Sequence, residues 1–169
     1  MNERHILNPT TPEHRHLQNR ESLREAHLEL VKAARHELAV ATPALEISIW
    51  NSAAMGEAIG HFLARHPRNR ARIVIEDTEQ MLAYCPRLVE LTRRYSDLLH
   101  IRRLGDAHRG LAEMFVLADR DSCLLQTDIR LVDATLDLAA PRVAAPHVQR
   151  FEQIWDSSDP IAGLHGFRL

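Results

Sequence analysis

The chain has 169 residues, of which 45% are hydrophobic and 26% are charged, and these proportions are typical of one soluble globular domain with a substantial core. No apolar run is long enough to span a membrane, and residues 1–9 lack the apolar segment of a signal peptide, so we expect a cytoplasmic protein without membrane association. The formal net charge of −2 gives no general attraction to nucleic acid or anionic lipid.

The first half of the chain predicts a polar arm and then alternating helices and strands. Residues 1–20 are polar and rich in histidine, and they indicate a flexible N-terminal arm. The pair Ser22 and Glu25 predicts a capping box that opens a helix reaching about residue 36. The following elements are a buried strand at 37–42, a short strand or extended segment at 45–50, a helix from about residue 52 that ends before Pro67, and a buried strand at 72–76.

The second half continues the alternation. It predicts a helical region after Thr78 that restarts at Pro86, a strand at 98–104, two apolar strands joined by a charged turn within 111–126, an irregular segment at 128–144 and a helix at 145–157. Alternating helices and strands indicate an α/β fold in which helices flank a mixed sheet on both faces. We expect this domain to span residues 21–158 and residues 159–169 to form a tail.

The apolar strand at residues 111–119 resembles the strand that carries the His-x-Lys-x4-Asp motif of the phospholipase D-like superfamily. With Asp119 in the Asp position, Ala112 stands in the His position and Met114 in the Lys position. The resemblance implies that the histidine would be the nucleophile and the lysine would bind phosphate. Neither an alanine nor a methionine side chain can do this chemistry.

The flanking segments extend the resemblance over roughly residues 22–157. The helix and strand that end in Thr42-Pro43, the strand and acidic residues at 72–77 and the closing helix at 151–155 occur in the order of a single phospholipase D-like half. The chain is particularly similar to a bacterial family of such domains whose function is unknown, in which some members are fused to an acetyltransferase-type domain. The resemblance implies a homodimer, and it suggests an acetyltransferase-like protein as a partner.

A second motif departs from the superfamily at the end of the hairpin. Active members carry Gly-Ser-x-Asn after the Asp, whereas the matching positions here hold Gln126, Thr127 and Ile129. In single-half members the second catalytic histidine comes from the same position of a partner subunit, which here would supply only another Ala112. We therefore assign no catalytic residue and read Ala112, Met114, Asp119 and Thr127 as positions of a degenerate motif.

Five residues near this strand are candidates for ligand binding: His108, Arg109, Glu113, Asp119 and Thr127. Each also has a simpler interpretation. His108 is more typical of a surface or loop-anchoring residue, Asp119 followed by Arg and Asp is more typical of a turn, and Glu113 fits either a solvent-facing or an inward position. Thr127 retains a hydroxyl that could donate a hydrogen bond to a phosphate.

Neither a metal nor another cofactor is predicted. The histidine pairs of the chain lack a third and fourth converging ligand, Cys85 and Cys123 lie far apart, and no glycine-rich phosphate loop occurs.

Seven arginines in three clusters could form a basic patch: Arg68, Arg70 and Arg72, then Arg93 and Arg94, then Arg102 and Arg103. The negative net charge and the few aromatic residues favour solvated arginines balanced by acidic neighbours. The leading hypothesis is therefore a non-enzymatic binding or interaction module. The alternatives are a nucleic-acid or phosphate binder that uses these arginines, and a divergent phosphodiester hydrolase that uses His108, Glu113 or Asp119.

Overall fold

One eight-stranded mixed sheet organises residues 11–164, the part of the chain that the computed structural model describes. The order across the sheet is β1-β7-β6-β5-β2-β3-β4-β8. The strands are β1 Glu13–Leu17, β2 Glu37–Thr42, β3 Arg70–Ile75, β4 Leu99–Arg103, β5 Met114–Ala118, β6 Ser122–Gln126, β7 Ala134–Leu138 and β8 Asp159–Pro160. Strands β2, β3 and β4 are parallel, and all other neighbours are antiparallel.

Helices cover both faces of the sheet. They are α1 Arg20–Ala33, α2 Ile47–Trp50, α3 Ala53–Arg65, α4 Thr78–Tyr84, α5 Pro86–Arg94 and α6 Pro141–Asp156, with a 3₁₀ turn at Asp106–His108. One buried cluster joins the sheet to α1 through α5, and a second joins its other face to α6. The predicted α/β fold with helices on both faces is confirmed.

Strand β5 shows how the two faces are divided. Met114, Val116 and Ala118 belong to the cluster under α1, whereas Phe115 and Leu117 belong to the cluster under α6. This is the two-residue alternation of a strand. Because both faces are covered, the strand is apolar throughout, which made it recognisable in the sequence.

The predicted N-terminal arm is wrong where the structure describes it after residue 12. Strand β1 pairs antiparallel with β7, and His14 Nδ1 lies 2.6 Å from Asp137 Oδ1. Arg15 adds a bidentate contact to Glu29 at 2.5 and 2.8 Å. An edge strand tolerates polar side chains because they face solvent, so its composition resembles that of a loop. Residues 1–10 of the predicted arm lie outside the described residues.

The predicted C-terminal tail also differs at its start. Residues 159–160 form β8, which pairs with the end of β4, and Leu164 is fully buried. Residues 165–169 lie outside the described part of the chain.

Three further local predictions are corrected. The segment at 45–50 contains α2 rather than a strand, and the segment expected to be irregular contains β7 and the first turn of α6, which starts at Pro141. Helix α1 is capped by Asn19, whose side chain accepts the Ser22 N–H at 2.8 Å, so Ser22 is not the cap residue. Within residues 11–164 no helix has the length and apolarity needed to cross a membrane.

Candidate functional site

Hydrogen bonds to Asp119 connect the β5–β6 hairpin to the loop between α1 and β2. Its carboxylate accepts the backbone N–H groups of Arg35 at 2.9 Å, His36 at 2.7 Å and Glu37 at 3.1 Å. Asp119 and Arg120 both have positive φ, 53° and 61°, and aspartate tolerates that left-handed region better than most residues. The geometry gives Asp119 a structural role at a turn, at the end of β5 that is distant from Ala112.

The other four ligand-binding candidates surround one shallow depression. This edge depression, of about 410 Å³, is lined by residues 107–113, Thr127 and Arg150. It therefore brings together His108, Arg109, Glu113 and Thr127, and it adds a residue that the sequence did not indicate. Arg150 was missed because only the packing of α6 on the sheet places it opposite the start of β5.

The charges of the edge depression are largely paired. Arg150 forms an ion pair with Glu113, and Arg109 Nη2 lies 2.7 Å from Asp106 Oδ1. The nearby Gly110 N–H donates to Glu76 Oε1 at 3.2 Å. An anion entering this depression would have to compete with carboxylates already bound to its guanidinium groups.

Of the motif positions, Met114 faces the α1 side of the sheet. Met114 is 4% exposed and packs in the cluster under α1, while Ala112 is exposed just before β5 begins. Met114 pairs across the ladder with Gln126, and the Ile129 N–H donates to the Ala112 carbonyl at 3.0 Å. None of these four side chains is ionisable.

A second and deeper cavity lies on the same α1 side. This α1 cavity, of about 490 Å³, is lined by Arg20, Glu21, Leu23, Arg24, Glu46, Ser48, Ile49, Gln126, Ile129, Arg130, Leu131 and Val132. Gln126, the cross-strand partner of Met114, is part of its lining, so the cavity adjoins the position of Met114. No motif or spacing in the sequence indicated this cavity, because its walls come from the start of α1, the entry to α2 and the loop after β6.

The cations of the α1 cavity differ in their pairing. Arg130 binds Asp128 through Nε at 2.9 Å and Nη2 at 2.6 Å, and this contact lowers the pKa of Asp128 to about 2. Arg20 and Arg24 have no hydrogen-bond or ion-pair partner among residues 11–164. On the acidic side, the Ser48 hydroxyl donates to Glu46 Oε1 at 2.9 Å.

Two arginines of the predicted basic clusters hold α6 against the sheet. Arg72 makes a bidentate pair with Glu152 at 2.6 and 3.0 Å, and this hydrogen bonding lowers the pKa of Glu152. The Arg72 guanidinium also lies over the rings of Phe151 and Trp155, at 5.0 and 5.4 Å. Arg102 approaches the same Trp155 ring at 5.4 Å. These contacts are structural, and they occupy guanidinium groups that an anionic partner would need.

The cysteines offer no reactive group, and the described residues contain no cluster suited to a metal. Burial, assisted by the carboxylates of Asp137 and Glu113, raises the pKa of Cys123 to about 12. Burial also raises the pKa of Cys85. Between residues 11 and 164 no three His, Cys, Asp or Glu side chains converge closely enough to hold a metal ion.

The solved structures with a similar fold include those of three proteins, Nuc, NucT and TrmBL2. Nuc, a phospholipase D family member from Salmonella typhimurium, has a TM-score of 0.65 and 10% identity, and the match covers 89% of this chain and 99% of Nuc. NucT from Helicobacter pylori has a TM-score of 0.61 and 10% identity, over 89% of this chain and 100% of NucT. TrmBL2, an archaeal chromatin protein, has a TM-score of 0.66 and 12% identity, over 93% of this chain but 56% of TrmBL2. The molecule is an α/β domain with a mixed sheet, and its fold is similar to that of these phospholipase D family members.

The chain belongs to the family described as Domain of unknown function (DUF7931), whose model matches residues 19–167. No curated protein sequence matches the chain. Identities near 10% support a common fold and carry no activity with them, so the function is argued from the residues of the site.

Proposed function

We propose that this protein is a phospholipase D-like domain without phosphodiesterase activity, and that it acts as a binding or interaction module. One observation carries the proposal: the strand positions that would present a nucleophile and a phosphate-binding cation hold Ala112 and Met114. Phosphoryl transfer through a covalent intermediate needs a nucleophile, an acid-base group and cationic charge near the phosphate oxygens. A methyl group and a buried thioether supply none of these.

The remaining nucleophiles near the motif give no replacement. Cys123 is buried with a pKa near 12, so its thiolate is absent at neutral pH. His108 ends the 3₁₀ turn and precedes Ala112 by four residues. His108 lines the edge depression, but no second histidine does, since the described lining is residues 107–113, Thr127 and Arg150, so an acid-base partner histidine is lacking there.

The direct test is a phosphodiesterase assay on the purified full chain. We expect no turnover of bis-p-nitrophenyl phosphate or of DNA above the buffer rate, with an active phospholipase D as positive control. His108→Ala, Glu113→Gln and the matched exposed variant His61→Ala are assayed beside the parent. Hydrolysis that disappears in the first two variants and persists in His61→Ala would overturn the proposal in favour of a divergent hydrolase.

The predicted homodimer remains part of this proposal. Ala112 is exposed at the start of β5, beside the edge depression, and a symmetric contact there would bury no unpaired charge of the motif strand. Ala112→Arg should then convert a dimer to a monomer in sedimentation equilibrium, while Arg68→Ala should not. A monomeric parent protein would refute the dimer.

The acetyltransferase-like partner stays a prediction, which co-purification with such a protein would test.

Nucleic-acid binding through the arginine clusters has less support than the proposed binding or interaction role. Arg72 and Arg102 are engaged with Glu152, Trp155 and the Ser158 carbonyl. Phosphate contacts by these two arginines would have to displace these partners, so Arg72 and Arg102 are assigned to the packing of α6.

A further inference from the structure

The α1 cavity has the size and the mixed lining of a small-molecule site. Its volume of about 490 Å³ lies within the range of about 300–1,000 Å³ that ligand pockets occupy. It opens between three segments of the fold, the start of α1, the start of α2 and the loop that follows β6. Gln126 in its wall donates to the Leu131 carbonyl, which fixes the loop in place over the cavity.

The guanidinium groups of Arg20 and Arg24 contribute positive charge to the cavity lining. Arg20 and Arg24 are four residues apart in α1, so they lie on one face of the helix, one turn apart. Neither has an ion-pair or hydrogen-bond partner in the portion of the chain from residue 11 to 164. Guanidinium groups bind carboxylates and phosphates through parallel N–H···O contacts. The charged side of the cavity therefore suits an anion.

Apolar side chains make up another part of the cavity lining. Leu23 and Ile49 are buried, Ile129 and Val132 are half-buried, and Leu131 is 59% exposed at the rim. An exposed leucine beside a cavity gains free energy when a ligand covers it, at about 25 cal/mol for each Å² of apolar surface removed from water. The ligand should therefore carry an apolar body as well as its charge.

Two carboxylates limit the charge of that ligand. Glu21 and Glu46 also line the cavity, and with Arg130 already paired to Asp128 they balance Arg20 and Arg24. A singly charged group meets less repulsion there than a doubly charged one. A carboxylate carries one negative charge at neutral pH, whereas a phosphate monoester carries about 1.5 to 2.

We propose that the α1 cavity binds a small apolar carboxylic acid, with its carboxylate held by Arg20 and Arg24 and its apolar body against Leu23, Ile49 and the 129–132 loop. This inference rests on the proposed binding role and names the ligand class. It also separates the binding site from the edge depression, where Arg109 and Arg150 are paired with acidic side chains.

The test is isothermal titration calorimetry of the full chain with octanoate as the probe. Octanol removes the charge, inorganic phosphate removes the apolar body, and octyl phosphate raises the charge. We expect octanoate to bind more tightly than all three. The variant Arg20→Gln/Arg24→Gln should weaken octanoate binding by about tenfold or more. Arg65→Gln/Arg68→Gln is the matched control, because it removes two exposed arginines outside the cavity and should leave the affinity within about twofold.

Several results would overturn the inference. Octanol that binds as tightly as octanoate would remove the role of the two arginines, and octyl phosphate that binds more tightly would refute the singly charged ligand. Equal loss in both double variants would indicate a nonspecific charge effect. Absence of octanoate binding would overturn this inference and leave the non-catalytic role standing, whereas phosphodiesterase activity would overturn that role without altering the calorimetry.

Discussion

Replacing Asp119 separates a structural role from a catalytic one. Asp119→Ala removes the acceptor of three backbone N–H groups, those of Arg35, His36 and Glu37. A hydrogen bond to a charged group contributes about 1.5–3 kcal/mol. Because Arg35 and His36 are exposed and water can hydrogen-bond to their N–H groups, we expect the lost hydrogen bonds to cost about 3 kcal/mol together rather than the sum of three. The left-handed φ of 53° adds about 1 kcal/mol for alanine.

The assay is urea unfolding followed by circular dichroism, with Asp119→Asn as the graded variant. Asparagine tolerates the left-handed conformation and keeps one acceptor oxygen, so it should lose about half as much stability as alanine. Asp156→Ala, at an exposed carboxylate of α6, should change stability by less than about 0.5 kcal/mol. A loss below about 1 kcal/mol for Asp119→Ala would refute the structural role assigned to this carboxylate.

Three further predictions follow from single side chains. Burial lowers the pKa of His27, so below about pH 6.5 the unfolded chain binds a proton that the folded chain does not, and the free energy of unfolding should fall by up to about 1.4 kcal/mol per pH unit. In urea titrations from pH 7.5 to 5.5, His27→Gln should flatten this slope, and parallel slopes would contradict the assignment. Met114→Lys should lower the free energy of unfolding by about 3 kcal/mol because it buries an ammonium group, whereas Ala112→His should lower it by less than about 0.5 kcal/mol. Equal losses for the two variants in urea unfolding would contradict the difference in burial. Arg72→Lys should lower the free energy of unfolding by about 1–2 kcal/mol through the lost bidentate and ring contacts, whereas Arg68→Lys should change it very little. Thermal unfolding compares the two variants, and an Arg72→Lys variant as stable as the parent would show that these contacts do not stabilise the packing of α6.

The central part of the sheet could be predicted from the sequence because it is buried on both faces. Strands β2, β3 and β5 each contain a run of apolar residues followed closely by a charged or proline position, and such runs indicate buried strands. The charged turn at residues 119–121 then defined the β5–β6 hairpin. Local composition was sufficient there because the surroundings impose the same apolar requirement on every residue.

The sheet edges could not be predicted in the same way. Residues of β1 are mostly polar and exposed, and only their pairing with β7 makes them a strand. Strand β8 has two residues and depends on β4 in the same manner. Each of these edge strands forms only by pairing with a strand that is distant in the sequence, so the local residue pattern does not predict it.

The candidate site was predictable only along the motif strand. Four of the five proposed ligand-binding residues meet in the edge depression because they are close to the start of β5 or to its hairpin partner. Arg150 and the α1 cavity depend on how helices pack on the sheet, which no spacing in the sequence records. The deeper cavity was therefore missed, although it adjoins the position of Met114.

The two ends of β5 carry different information about function. Asp119 binds backbone N–H groups at one end, so the fold requires its carboxylate whether or not any chemistry occurs. Ala112 and Met114 stand at the other end, where nothing in the backbone constrains the side chain to be reactive. An aspartate in the motif position is consequently evidence for the fold alone, and a case for catalysis has to be made from the residues at positions 112 and 114. Those residues support the proposed role of a domain that binds without reacting, and the cavity lined by Arg20 and Arg24 is the site proposed for that binding.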